Sequence, residues 1–329
     1  MASVPDPTHP YYVVADNCSV YVLMAGNETI ARAVHVFDNE GGCTKTPHLH
    51  GIAEFAVHDG NIYMPASDKS IRKYNKLGEP VGQITVIYDG GEYLSGIAID
   101  EDGYIYQGCF SIDNGSAINN RILKICPDGT VEKVYPGSEN GLLRAPGNFA
   151  TNTKGIYVCD AGSSILHIDE SDNTTIIGNA GGSDGKFNYI RDLALDNDGN
   201  LYVADSGNNR IQKLGPDGAF IAKWYGCGGD RFSSPASVDV DDRGRVYVAD
   251  SENQRVVWFD SERYVFGDNV SENLNGKGVI WGEIYAGMNK SAYAKAMEGS
   301  GSSAPASGFN ALVAVLTVAG TAILLRKHQ

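Results

Sequence analysis

His48 and His50 form the strongest candidate metal-binding group in the sequence. They lie in residues 46–51, immediately before an apolar stretch (52–57) that has the composition of a β-strand. In an extended backbone, residues two apart point to the same side, so both imidazoles would face one direction. Imidazole nitrogens bind zinc, which takes three protein ligands or more. The pair is therefore either part of a metal site or two polar loop residues.

The elements that would position this pair are revealed by an internal repeat. Three similar runs of apolar residues around a tyrosine end at Asp160, Asp205 and Asp250, each 45 residues after the one before. The same pattern of a turn followed by an apolar-Tyr pair occurs upstream at Tyr21, Tyr63 and Tyr106. One step between repeats is longer, and it contains residues 111–120, which are rich in Gly, Ser and Asn. We expect these residues to form an extended loop.

Each repeat contains about four strand signals separated by turn residues. In the fifth repeat these signals are residues 192–195, 201–204, 211–214 and 220–224, and in the sixth they are 237–240, 246–249, 256–259 and 264–266. Four short antiparallel strands in about 40–45 residues are typical of a propeller blade. A single sheet cannot bury both faces, so neighbouring sheets must stack around a ring. The sequence therefore predicts an all-β, six-bladed β-propeller over residues 11–287.

The repeat unit resembles the NHL repeat. Residues 202–211 read Tyr-Val-Ala-Asp-Ser-Gly-Asn-Asn-Arg-Ile, and residues 247–256 are similar. Asp205 and Arg210 flank the turn between two strands, and Asp250 and Arg255 repeat this arrangement. Asp160 occupies the same aspartate position in the fourth repeat. An ion pair or an arginine-to-carbonyl bond across this turn would fix its geometry. The first three repeats have Met24, Ala66 and Cys109 at the aspartate position.

Residues that lead into the innermost strands of a propeller line one mouth of its channel. In this chain they include a set that we predict to form a binding site at the channel mouth: His48, His50, Ser95, Arg191 and Asp192. The peptidyl-hydroxyglycine lyases are similar six-bladed propellers that hold zinc with histidines from several blades, whereas one blade offers histidines here. Calcium lactonases are also similar, and Glu54, Asn148 and Asp192 are the comparable set. Calcium and zinc stay open as cofactors, and we assign neither.

Charge and composition restrict the partners. The chain has 329 residues, a net charge of −14 and a pI near 4.9. Nucleic-acid binding needs clustered Lys and Arg, so this balance argues against it. Six Asn-x-Ser/Thr sequons favour an extracellular or luminal glycoprotein; they begin at Asn17, Asn27, Asn114, Asn173, Asn269 and Asn289. In an oxidising compartment, Cys109 could pair with Cys126, and Cys18 with Cys43.

The C-terminal part predicts a membrane anchor. After a linker (288–308), residues 309–325 carry no charge and are followed by a basic tail (326–329). Seventeen residues is the short limit for a membrane helix, and the basic end favours a cytoplasmic C-terminus with the propeller outside. Residues 1–10, an N-terminal tail, lack the basic start and apolar core of a signal peptide. A cytosolic, tail-anchored propeller is therefore the alternative localisation.

These observations leave three functional hypotheses. The first is a membrane-tethered interaction module that binds a protein or a glycan. The second is a metal-dependent propeller enzyme, similar to the hydroxyglycine lyases or the lactonases. The third is a cytosolic tail-anchored scaffold. No G-x-S-x-G, Walker or H-E-x-x-H motif is present, which favours binding over catalysis.

Overall fold

The computed structural model describes residues 10–16, 19–24, 33–38, 43–45, 54–66, 68–86, 93–113, 116–136, 146–160, 162–227 and 230–261. In these ranges the chain forms antiparallel sheets, with two short 3-10 turns as its helical structure. The predicted linker (288–308) and anchor (309–325) lie outside the described residues.

Each sheet of the first three blades contains four strands in chain order. Blade 1 consists of β1 (Pro10–Ala15), β2 (Ser19–Met24), β3 (Ala33–Asp38) and β4 (Cys43–Lys45). Blade 2 consists of β5 (Ala56–His58), β6 (Asn61–Pro65), β7 (Ser70–Asn75) and β8 (Pro80–Thr85). Blade 3 consists of β9 (Tyr93–Ile99), β10 (Ile105–Asp113), β11 (Ser116–Ile125) and β12 (Val131–Pro136).

The second half of the chain continues the same pattern. Blade 4 consists of β13 (Pro146–Asn152), β14 (Gly155–Asp160), β15 (Ser164–Asp169) and β16 (Thr174–Ile177). Blade 5 consists of β17 (Ile190–Leu195), β18 (Leu201–Asp205), β19 (Arg210–Leu214) and β20 (Phe220–Trp224). A short hairpin of β21 (Gly226–Cys227) and β22 (Asp230–Arg231) precedes blade 6, whose described strands are β23 (Pro235–Val240), β24 (Arg245–Asp250) and β25 (Arg255–Asp260).

The six sheets close into a ring. Among the described residues, six apolar clusters are present, and each lies between two neighbouring blades. The cluster that joins the last blade to the first contains Val13 and Val22 from blade 1 with Tyr247 and Val256 from blade 6. Every blade thus buries both faces against its neighbours, as the repeat requires. The predicted all-β, six-bladed propeller is confirmed.

The predicted strands of the fifth and sixth repeats agree with the observed strands to within two residues at each end, except for residues 264–266, which lie outside the described residues. The prediction of an extended loop at residues 111–120 is wrong. These residues continue β10 and β11 as a hairpin, in which Ser111 pairs with Ile118 and Asp113 with Ser116. The polar composition of residues 111–113 and 116–120 concealed the strands that they form.

A disulfide between Cys109 and Cys126 is also excluded. Cys109 lies opposite Arg121 in the ladder between β10 and β11, and Cys126 follows Arg121 by five positions. At about 3.3 Å per residue, the two cysteines are roughly 16 Å apart along the strand. A disulfide needs Cα atoms within about 7 Å of each other. Cys18 lies outside the described residues, so its predicted pairing with Cys43 stays a prediction.

Candidate functional site

The innermost strands of the blades, β1, β5, β9, β13, β17 and β23, surround a central channel. The channel has a volume of about 620 Å³ including its open end, and most of the residues that line it have apolar side chains. Small residues, Ala56, Ala98, Ala150 and Ala194, occupy equivalent positions around it. Asp239 takes this position in blade 6, where it is one of the few polar side chains in the wall. We call the end of the ring at which these strands begin the mouth face.

Polar side chains near the start of the inner strands reach from one blade to the next. Asn148 of blade 4 donates through Nδ2 to the carbonyl oxygen of Arg191 in blade 5 at 2.9 Å. Asp192 of blade 5 accepts from the Val238 amide of blade 6 at 3.1 Å, and its Oδ2 lies within hydrogen-bonding distance of Ser237 Oγ. Ser237 in turn accepts from the Val13 amide of blade 1 at 3.1 Å. These hydrogen bonds connect four successive blades, 4, 5, 6 and 1, around the channel.

Burial dominates the titration of the two inner carboxyl groups. It raises the pKa of Asp192 well above the usual value, although the hydrogen bonds from Ser237, Leu193 and Val238 oppose the shift. Burial likewise raises the pKa of Asp239 to about 7, against amide donors from Ala15 and Val240. Ser237 Oγ lies within hydrogen-bonding distance of Asp192 Oδ2 and is 3.3 Å from the Val13 carbonyl oxygen.

Arg191 lies at the mouth face, on the second residue of β17. Its guanidinium carbon is 5.1 Å from the centroid of the Tyr11 ring, which is a cation–π distance. The Arg191 side chain is half-buried, and within the described part of the chain it forms no ion pair. Arg210 and Arg255, by contrast, each contact a buried aspartate. Arg191 is thus a positioned cation without a carboxylate partner among these residues.

Tyr189 directly precedes β17 on the same face. It is 63% exposed, and its backbone has a left-handed conformation with φ of 57°. Left-handed backbone is uncommon for a bulky residue and costs of order 1–3 kcal/mol. The ring lies on Gly162 of blade 4, where an added Cβ would be 3.3 Å from Tyr189 Cδ2. Ser234, 45 residues later, has the same conformation with φ of 50°.

Ser95 lies on β9, two blades away from Arg191 around the mouth face. Its hydroxyl is buried and has no hydrogen-bond partner among the described residues. Gln107 lies beside it on β10, is 0% exposed and donates through Nε2 to the carbonyl oxygens of Ser95 and Gly96 at 2.9 and 3.1 Å. Its Oε1 also has no partner in the described ranges. Blade 3 therefore contains two buried polar groups, the Ser95 hydroxyl and Gln107 Oε1, that have no hydrogen-bond partner among the described residues.

The five residues predicted for the channel mouth fall into three groups. Arg191 and Ser95 both lie near the mouth ends of their inner strands. Asp192 is only 2% exposed, and its carboxyl group is directed into the contact between blades 5 and 6. His48 and His50 lie outside the described residues. Within the described ranges, no three His, Cys, Asp or Glu side chains gather closely enough to hold a metal ion.

Tyr11 and Tyr189 were not among the predicted site residues. Their exposure and ring position depend on contacts between blades, which a single repeat does not encode. One signal for Tyr189 was available. Aligning the fifth and sixth repeats at the 45-residue interval places Tyr189 opposite Ser234, so a large aromatic residue stands where the other repeat has a small polar one.

The aspartate and arginine of the repeat motif form a buried network in blade 5. Arg210 Nε contacts Asp205 Oδ2 at 2.7 Å, and its Nη2 donates to the carbonyl oxygens of Ser183 and Lys186 at 2.9 and 2.8 Å. Both the ion pair and the arginine-to-carbonyl bonds are therefore present. They join the turn after β18 to the loop that enters the blade.

Blade 6 repeats this network, with Arg255 Nε 2.7 Å from Asp250 Oδ2 and Nη1 3.0 Å from Asp230 Oδ2. In blade 4, Asp160 lies opposite Ser164 in the ladder, so no arginine occupies the partner position there.

A second repeated contact joins an aspartate at the end of the inner strand to the tyrosine of the next strand. Tyr21 donates to Asp16 at 3.0 Å, Tyr106 to Asp100 at 3.2 Å, and Tyr247 to Asp241 at 3.1 Å. Tyr202 and Asp196 are 3.4 Å apart in blade 5. These pairs lie at the end of the ring opposite the mouth face, and they close the first hairpin of blades 1, 3, 5 and 6. These four tyrosines thus have a structural role.

Comparisons with known proteins agree with this architecture. The family model described as NHL repeat matches residues 187–214 and 232–259. No curated protein sequence matches the chain significantly.

Solved structures with the same fold include a streptogramin B lyase, with 16% identity, a TM-score of 0.51, and 82% of this chain and 87% of that chain covered. A protein of unknown function from Bacteroides caccae has 15% identity and a TM-score of 0.55, with 78% and 97% covered. A catalytically inactive virginiamycin B lyase from Staphylococcus aureus with quinupristin has 16% identity and a TM-score of 0.50, with 83% and 90% covered.

At these identities the solved structures support the fold alone. Ring closure, strand order and the matched repeats together define a six-bladed β-propeller. The protein is a six-bladed β-propeller in which blades 5 and 6 match the NHL repeat.

Proposed function

We propose that the protein is a membrane-tethered binding module that presents the mouth face of its propeller to a protein or glycan partner. The observation that carries this proposal is Tyr189, a largely exposed aromatic residue held in an unfavourable backbone conformation. Strain of this kind persists where the surroundings enforce it, commonly at ligand sites. Tyr11 and Arg191 lie beside the channel on the same face, and Tyr and Arg are enriched in binding hot spots.

The test is binding of a displayed random-peptide library and of a glycan array by the purified full chain. Tyr189→Ser is the informative variant, because Ser234 shows that serine adopts this backbone conformation in the same fold. We expect it to weaken the selected ligands by at least about tenfold. Ile176→Ser, which changes another exposed apolar residue on an outer strand, should leave binding unchanged. Equal effects of both variants, or none, would refute a site at Tyr189.

The tether rests on residues 309–325, which lie outside the described part of the chain. Among the described residues, no helix is long and apolar enough to cross a membrane. An anchor at residues 309–325 predicts that the full chain remains with membranes after alkaline carbonate washing and that a chain ending at residue 308 is released. Glycan occupancy at Asn114 or Asn173 would place the propeller outside the cytosol, whereas cytosolic protease sensitivity would support the tail-anchored scaffold.

The competing hypothesis is a metal-dependent propeller enzyme, which the same fold accommodates. Its critical residues are His48 and His50. Metal analysis of the dialysed full chain separates the two hypotheses. Stoichiometric zinc or calcium that disappears in a His48→Ala/His50→Ala variant would favour the enzyme and contradict a purely binding role.

A further inference from the structure

Arg191 differs from Arg210 and Arg255, two other arginines of the mouth face, in having no acidic partner among the described residues. Arg210 contacts Asp205, and Arg255 contacts Asp250 and Asp230. The chain has 40 acidic and 26 basic residues, so carboxylates are plentiful, yet none described lies within ion-pair distance of Arg191. Leaving a half-buried guanidinium without a counter-ion costs free energy. An external carboxylate would relieve this cost.

The structure also holds Arg191 in place. Asn148 binds its carbonyl oxygen from blade 4 at 2.9 Å, and the next residue, Asp192, is bonded to the Val238 amide of blade 6. The guanidinium rests on Tyr11 of blade 1. Blades 4 and 6 therefore fix the backbone at Arg191, and blade 1 contacts its side chain. A side chain ordered before binding loses little entropy when the ligand arrives, which favours recognition.

We propose that Arg191 is the receptor for a carboxylate group of an acidic peptide segment in the partner protein. The guanidinium presents paired N–H donors in the geometry that a carboxylate accepts. Tyr189, two residues earlier, supplies an exposed aromatic surface for a neighbouring apolar side chain. This inference rests on the proposed binding function and names the chemistry that the site recognises.

Nearby acidic groups limit how much negative charge the site accepts. Burial raises the pKa of Tyr12, and the nearby charges of Asp192, Glu54 and Asp239 raise it further. Asp192 and Asp239 have raised pKa values themselves, as described above, which reduces their repulsion near neutral pH. Glu54 precedes the inner strand of blade 2. We therefore expect one acidic side chain to bind at Arg191 and additional ones to be disfavoured.

The experiment is a double-mutant cycle on the full chain. Peptides selected from the random library are resynthesised with each Asp or Glu replaced by the corresponding amide. For the residue that contacts Arg191, this replacement should weaken binding to the wild type about tenfold or more, and should have little effect on Arg191→Gln. Arg191→Lys should retain part of the affinity, because it keeps the charge but loses the planar fork. Arg243→Gln, an exposed arginine at the opposite end of the ring, is the matched control.

The outcomes separate this inference from the proposed function. If Tyr189→Ser abolishes peptide binding but the amide replacements act equally on wild type and Arg191→Gln, the binding site stands and the carboxylate receptor is refuted. If neither Tyr189→Ser nor Arg191→Gln alters binding, both proposals are wrong. A third outcome is that no acidic peptide binds but an oligogalacturonate does, in a manner that depends on Arg191. The ligand would then be an acidic glycan, and the proposal of an acidic peptide would be wrong.

Discussion

Asp239 couples the stability of the ring to pH. Its Oδ2 accepts from the Ala15 amide at 2.7 Å and its Oδ1 from the Val240 amide at 2.8 Å, yet burial still raises its pKa to about 7. In the unfolded chain an aspartate titrates near pH 3.9. Between these two values the folded state binds a proton that the unfolded state has lost. This contribution to stability is therefore full below about pH 4, declines as pH rises towards 7, and is lost above it.

Asp239→Asn should remove this dependence, because an amide keeps an oxygen acceptor for Ala15 and cannot ionise. The free energy of unfolding of the wild type should fall relative to the variant by about 1.4 kcal/mol per pH unit over part of the range between pH 4 and 7. Urea unfolding at pH 5 and pH 8 measures the difference. Asp242→Asn, an exposed neighbour, is the control. Parallel pH profiles for wild type and Asp239→Asn would contradict the assignment.

Asp205 is the acceptor at the centre of the blade 5 network. Its carboxylate receives Arg210 Nε at 2.7 Å, Asn208 Nδ2 at 2.9 Å and the Asn188 amide at 2.8 Å. Asp205→Ala would leave the guanidinium of Arg210 buried without this partner, which typically costs 3–5 kcal/mol. Chemical denaturation should show this loss, whereas Asp198→Ala at an exposed turn should change stability by less than about 0.5 kcal/mol. Similar losses in both variants would argue against the network.

At the scale of elements, the hairpin of β10 and β11 extends beyond its own sheet. Pairing with β9 ends at Phe110 and pairing with β12 ends at Arg121, so residues between them pair with each other alone among the described strands. Replacing residues 112–117 with Asn-Gly would connect Ser111 to Ile118 by a two-residue hairpin turn, which this dipeptide favours. This variant should therefore keep the ring folded. Calorimetry should give a melting temperature within a few degrees of the wild type. Failure of this variant to unfold cooperatively would show that the projection supports the fold.

The elements that the sequence predicted well are those whose hydrophobic pattern and turns repeat. In blade 5, β18 is enclosed between Gly199 and the turn that follows Asp205, and its continuous apolar run is buried on both sides. The hairpin beyond Phe110 has no such pattern, because its pairing depends on register alone. The same distinction between repeated and non-repeated features applies to the predicted site residues. Arg191 was located by its place in the repeat, whereas the orientation of Asp192 towards Ser237 depends on how adjacent blades pack.

At the scale of the whole molecule, the ring is closed by β1 and β23, elements from opposite ends of the described chain. The Val13 amide donates to Ser237 Oγ at 3.1 Å and the Ala15 amide to Asp239 at 2.7 Å. Val13 also packs in the cluster with Tyr247 and Ala249, while Tyr12 packs against Phe55 of blade 2. One strand of six residues thus completes two of the apolar clusters between blades.

Deleting residues 1–15 should therefore disrupt the whole propeller rather than one blade, because blades 2 and 6 would each lose part of their buried surface. Trp258 packs against the cluster between blades 6 and 1 and reports on this contact. We expect its fluorescence to shift to longer wavelength and unfolding in urea to lose cooperativity. Deletion of residues 1–9 alone leaves β1 intact and should preserve both signals. Cooperative unfolding with native fluorescence after removal of β1 would show that the ring holds together without this closure.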